Sequence, residues 1–196
     1  MEGHAGKDAH RETVVRPGVL LVASPELLDP NFTDTVVLML DVDENGALGV
    51  VLNRPSPVPV AEVLSDWGGV VGYPQVLFEG GPVGPQGALA IGLLADPEDV
   101  PVGFREVFGL LGVVDLDTPV ELVDGSLAGL RIFAGYAGWG AEQLQGEVAR
   151  GDWYVVPSQV PDVFRGDPRD LWREVLRRQP GELAWHSTRP ADPEYN

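Results

Sequence analysis

Apolar residues along the chain come in short runs, separated by glycine, proline and acidic clusters. "GVLLVAS" (18–24) and "TVVLML" (35–40) are continuous apolar runs rich in branched side chains, the first stopped by Pro25, and both predict buried strands. Next comes "DVDENG", whose Asn45-Gly46 pair favours the positive φ angles of a tight turn, and "ALGVVL" (47–52) resumes the apolar pattern. An antiparallel hairpin is expected there. "NRPSPVPVAEVLSDW" then breaks the strand with three prolines and starts a short helix near Pro59, where a missing amide hydrogen costs little.

Further on, "QVLFEGG" (75–81), "ALAIGLL" (88–94), "FREVFG" (104–109) and "GVVDL" (112–116) read as strands between Gly/Pro loops, and "PVELVDGSLAG" as a short helix with a turn. "LRIFA" (130–134) is a strand, "AEQLQGEVAR" (141–150) a helix closed by Gly151 in the left-handed conformation, and "DWYVVP" (152–157) a strand. Asp167 offers an N-cap with Pro168 at the first helical position, and "RDLWREVLRR" puts Leu171, Trp172, Val175 and Leu176 on one face. Together these elements predict an α/β protein: a single compact domain over 17–180 with a mixed, partly antiparallel central sheet and helices packed on it. Residues 1–16 and 181–196 are expected to be tails.

The chain's 196 residues and 44% apolar content support one hydrophobic core. The absence of cysteine removes disulfides, thiolate metal sites and thiol nucleophiles. A formal charge of -17, with one lysine and twelve arginines, sets the average surface against phosphate backbones and anionic lipids. The polar start "MEGHAGKDAHRET" lacks the apolar segment of a signal peptide, and no run nears the roughly 18 apolar residues of a membrane-spanning helix. A cytoplasmic protein without membrane contact is the expectation.

Several blocks are shared with a known family. "GVLLVASPELLDPNFTDTVVLML", "GALGVVLNRP", "FEGGPV" and "FAGYAGWGAEQLQGEVARGDW", standing in this order over about 17–156, resemble the signature segments of the YqgE/AlgH family of small bacterial proteins. "DLWREVLRRQP" resembles the C-terminal helix of its actinobacterial branch. The resemblance implies a compact α/β fold with a mixed sheet, in a family whose biochemical activity is largely unassigned and which is often labelled a transcriptional regulator. Many relatives carry a histidine where this chain has Val42, so no role built on that imidazole transfers.

Candidate chemistry is sparse. Asp41, Asp43, Asn45 and Gly46 match half of a calcium loop, but the twelfth position is Leu52 and the flanks are strands, so the hairpin reading is preferred. The histidines are His4, His10 and His186, all near the chain ends, which argues against a Ser-His-Asp apparatus. No catalytic residue, metal ligand or cofactor is assigned. Asn53 and Arg54 follow a strand and precede Pro55, so Arg54 is held extended and could grip a carboxylate or phosphate; its competing role is to cap loop carbonyls. Gly80 and Gly81 could expose amides as an anion nest or simply turn the chain.

"FAGYAGWGAEQLQGE" (133–147) places Gly135, Tyr136, Gly138 and Trp139 in a glycine-rich corner between strand and helix. The spacing matches neither a dinucleotide loop nor a P-loop, so the corner reads first as structural and second as one wall of a cleft. The leading expectation is a non-catalytic regulatory protein that binds a small ligand or a protein partner. One alternative is a metal-assisted hydrolase using Asp115, Asp117 and Glu79. The other is a DNA-binding regulator using the stripe Arg165, Arg169, Arg173, Arg177 and Arg178.

Overall fold

The computed structural model describes residues 14–188. Each apolar run becomes a strand: β1 Val19–Ala23, β2 Val36–Asp43, β3 Gly46–Val51, β5 Val76–Glu79, β6 Val83–Leu94, β7 Phe104–Phe108, β8 Leu111–Val114, β9 Leu127–Gly140 and β10 Trp153–Pro157. The proline-rich stretch adds β4, Pro55–Pro59, where only a helix start was expected. Among the described residues there are also five short helices: α1 Val60–Val63, α2 Gln143–Arg150, α3 Val160–Phe164, α4 Leu171–Arg177 and α5 Leu183–His186. "PVELVDGSLAG" forms two single 3-10 turns, Val120–Leu122 and Asp124–Ser126.

The main path of the sheet runs β10-β1-β2-β3-β9-β6-β8-β7, and each neighbouring pair on it is antiparallel. Among the described residues the one parallel register is a short contact of β5 with β9, Phe78 against Phe133 and Glu79 against Ala134. The expected mixed central sheet is thus corrected to an antiparallel one with few helices. The physical reason is connectivity. Short turns can join only antiparallel neighbours, and although β9-α2-β10 resembles a parallel crossover, β10 does not lie beside β9 but pairs antiparallel with β1.

The β2–β3 hairpin forms as expected, with a different turn. Gly46 pairs with Asp43, so the loop is Glu44-Asn45, and neither residue takes a positive φ. Instead Asp43 Oδ1 accepts the Asn45 and Gly46 amides at 2.7 and 3.1 Å. These bonds hold the Asp43 carboxyl below its usual range, the Asn45 amide foremost.

The sheet curls until the ring of Phe108, the last residue of β7, lies against the backbone of Gly18 just before β1. Inside the curl sits the largest apolar cluster, with Leu20, Leu38, Val50, Phe78, Ile91 and Phe133, closed by Leu171, Trp172, Val175 and Leu176 of α4. Those four α4 residues bury the face the sequence marked, each worth roughly 2 kcal/mol of apolar burial. α4 begins later than expected, at Leu171 with Asp170 as N-cap. Of the expected tail 181–196, the part to 188 is corrected too: α5 packs on α4, with Leu183 buried in the same cluster, because an apolar residue there finds a core to enter, while 189–196 lie outside the described residues. Of the expected tail 1–16, residues 1–13 lie outside the described residues, and Val15 packs against a second cluster under α2. A third cluster lies beneath α1, around Trp67, Leu130 and Ile132.

Candidate functional site

The expected glycine-rich corner is corrected to strand. β9 continues for 14 residues through Gly135, Tyr136, Gly138 and Trp139 to Gly140. It does so because one partner takes over from another along it: β6 pairs with 127–136 and β3 with 137–140. Gly135, at φ 69°, is the point where the strand bends; a Cβ there would come within 2.6 Å of the Gly81 carbonyl oxygen. Side chains before and after it switch phase, so that both Phe133 and Tyr136 face the main core. A Cβ at Gly80 would overlap the Gly135 carbonyl, and one at Gly81 the Tyr136 carbonyl. The Gly80 amide donates to Ala134 and its carbonyl accepts from Val51, so this glycine pair is a crossing of backbones at close range, not a nest left open for an anion.

Asn53 and Arg54 sit at the opposite end of β3 and are committed to the 30–36 segment. Asn53 Oδ1 accepts the Val36 amide at 3.0 Å while its Nδ2 donates to Asp34 O at 2.8 Å. Arg54 Nη1 donates to Asn31 O at 2.6 Å, and Nη2 to Pro30 O and Thr33 O at 3.1 and 3.2 Å. The guanidinium therefore caps loop carbonyls, the competing role weighed above, and its fork is occupied.

Tyr136 and Gly138 line a concavity, which Trp139 borders although its ring lies on the other face. A trough of about 400 Å³ lies over the end of the sheet, between Asp41 and Asp43 of β2 and Tyr136 and Val83. Register explains its shape: Gly46 lies opposite Gly140 and Leu48 opposite Gly138, so three of these four cross-strand positions carry no side chain and the floor is backbone apart from Leu48. Asp41 is opposite Leu48 and Asp43 opposite Gly46, which aligns both carboxylates along one rim. On the other face of the same strands Trp139, Trp153 and Phe32 pack with ring centroids 5.4–5.9 Å apart. Glu147 of α2 fixes them, its Oε2 accepting the indole N–H of both Trp139 and Trp153 at 2.8 Å. Glu142, expected in the first turn of the helix, is instead its N-cap in the left-handed region, and Gln143 accepts the Gly140 amide.

The other candidates disperse. Asp115 Oδ1 caps the Asp117 amide at 2.9 Å, both lining a groove with Arg105, while Glu79 lies on β5 and lines no part of that groove. Among the described residues no three His, Cys, Asp or Glu side chains gather as a metal site would require. The arginine stripe is not one helical face, since Arg165 and Arg169 precede α4. Arg165 pairs with Glu174, Arg169 with Asp167 and Arg178 with Asp162. The Arg169 hydrogen bond pulls the Asp167 carboxyl down to about 2. Arg173 donates to Ser187 O at 3.0 Å. His186 stacks on Tyr154.

Arg131 and Glu147 are functional to the architecture and carry no sequence signal. Arg131, 2% exposed, donates to Val163 O, Tyr73 O and Arg165 O at 2.6, 3.2 and 2.9 Å and lies 4.2 Å over the Phe78 ring. Burial pulls its pKa down to about 10.

Comparison with known proteins agrees with this architecture. The AlgH-like family profile matches residues 20–184. A UPF0301 protein of Streptomyces coelicolor is 53% identical over 182 residues, covering 91% of this chain and 94% of that protein. One from Mycobacterium tuberculosis is 44% identical over 194 residues, covering 97% and 94%. The crystal structure of a Corynebacterium diphtheriae protein superposes with a TM-score of 0.85 at 34% identity, over 89% of this chain and 93% of that one. The solution structure of the AlgH protein from Pseudomonas aeruginosa gives 0.66 at 25% identity, over 89% and 94%. With the profile running from β1 into α5 and the fold shared over nearly the whole chain, this protein belongs to the AlgH-like family.

Proposed function

We propose that this is a non-catalytic binding protein of regulatory type, and that its trough receives a cationic group: the side chain of an arginine on a partner, or a small alkyl guanidine. The observation that carries this reading is the pairing of Asp41 and Asp43 on one rim with the Tyr136 ring across a glycine floor. A flat cation can lie on bare backbone only where no Cβ intervenes, stack against an aromatic face and meet carboxylates at its edge. The formal charge of -17 also raises the local concentration of cations. The hydrolase alternative has Glu79 on β5, apart from Asp115 and Asp117, and the DNA alternative has three of its arginines paired with acids.

Titration of the labelled protein with agmatine, and with a short arginine peptide, is expected to shift the Ala47, Leu48 and Gly138 amides saturably. Tyr136→Ala and Asp41→Asn are each expected to weaken binding about five-fold or more. Shifts absent from these amides, or a citrulline peptide binding as tightly, would overturn the reading.

A further inference from the structure

A second groove, of about 480 Å³, lies away from the trough, between β4 and the segment leading into α4. Pro55, Pro57, Tyr73, Pro74 and Pro168 line it, with Asp167 on its rim. Tyr73 is 77% exposed, an unusual place for a large aromatic ring with nothing packed over it. The groove does not depend on the ligand to form. One nitrogen, Nη2 of the buried Arg131, donates to Tyr73 O on one wall and Arg165 O beside the other, so a single guanidinium fixes the spacing of the two walls.

The wall formed by β4 decides what kind of chain can lie there. Among the described residues β4 pairs with β5 alone, which leaves its other edge without a strand. Such an edge ordinarily invites another strand, but three of its five residues are proline and lack an N–H. The Val58 amide is already donated to Ser56 Oγ at 3.2 Å, so at most the Ser56 amide remains. An incoming strand would leave its own carbonyls without donors. A polyproline II segment suffers no such loss, because its backbone makes no ladder and its rings pack between aromatic and proline side chains. The charge of this chain further favours a segment flanked by basic residues.

We infer that the Tyr73 groove docks a proline-rich, basic-flanked segment of a partner protein in the polyproline II conformation. The probe is a blocked peptide of alternating proline and leucine with an arginine at each end, compared with a peptide in which alanine replaces every proline and with a Thr/Val strand-forming peptide carrying the same arginines. The proline peptide is expected to shift the Tyr73, Val76, Gly166 and Arg169 amides saturably and to bind about ten-fold more tightly than either control.

Tyr73→Ala removes the exposed ring while keeping the carbonyl that Arg131 uses. Gly166→Ala places a Cβ 3.1 Å from Tyr73 Cδ1, so the ring must shift from its position on the groove wall. Each is expected to weaken the proline peptide about ten-fold with the remaining amide spectrum unchanged. Equal binding of the alanine peptide would reduce the effect to charge, and tighter binding of the strand peptide would make β4 an ordinary edge. Shifts at Ala47, Leu48 and Gly138 instead would move the binding to the trough. Any of these outcomes, or no saturable shift, overturns the inference.

Discussion

Glu147 shows how much one side chain can hold in place. Its Oε2 accepts two indole N–H groups from strands β9 and β10, and its Oε1 accepts from Gln143 at 2.9 Å. Both tryptophans are buried, so removing the acceptor strands two donors away from water. Glu147→Ala is therefore expected to cost about 2–4 kcal/mol in denaturant unfolding followed by tryptophan fluorescence, and Glu147→Gln, which keeps one acceptor, distinctly less. Equal losses for the two variants would contradict the account. Nothing in the sequence singles Glu147 out, since a glutamate on a surface helix reads as solvated and the tryptophans it joins are fourteen residues apart. Arg54 was legible only as a pair of alternatives. Its choice of loop carbonyls over a ligand depends on residues 30–33, more than twenty positions away.

β9 carries the same lesson for an element. Its apolar run ends at Ala134, so the pattern stops short, yet pairing with β3 over 137–140 extends the strand to Gly140. Glycine weakens the strand signal for the reason it is needed: Gly80 and Gly81, just after β5, cross here at a distance that admits no Cβ. Gly80→Ala should cost about 3 kcal/mol or more, because the overlap is with backbone that cannot rotate away. Gly146→Ala in α2 is the contrasting case. It meets only the far end of Arg150 at 3.5 Å and sits inside a helix, so it should stabilise by about 0.5–1 kcal/mol. Thermal and denaturant unfolding of the two variants check both signs. Most remaining strand ends fall close to the runs read from the sequence, although β6 begins at Val83, before its apolar run at 88–94. The exception at β4 arose because prolines normally end strands, and this one survives at an edge with few ladder bonds to lose.

Arg131 connects these parts into one molecule, tying β9 to the segments at Tyr73 and at 163–165 without a carboxylate partner. Arg131→Lys keeps the charge but loses the planar fork, and is expected to cost about 2–4 kcal/mol. Hydrogen exchange should quicken in α3 and α4 more than around Trp139 and Trp153; uniform quickening would speak against a local tie. The positions of most strands, the apolar face of α4, the glycine that closes α2 and the AlgH-like resemblance were all legible along the chain, since each rests on a few consecutive residues and their local conformational preferences. Strand order and direction, the close crossing at Gly80 and Gly135, and the partners of Arg54, Arg131 and Glu147 were not. They are set between residues that meet only once the chain has folded, where exclusion of a Cβ or satisfaction of a buried donor outweighs what any neighbour in sequence prefers.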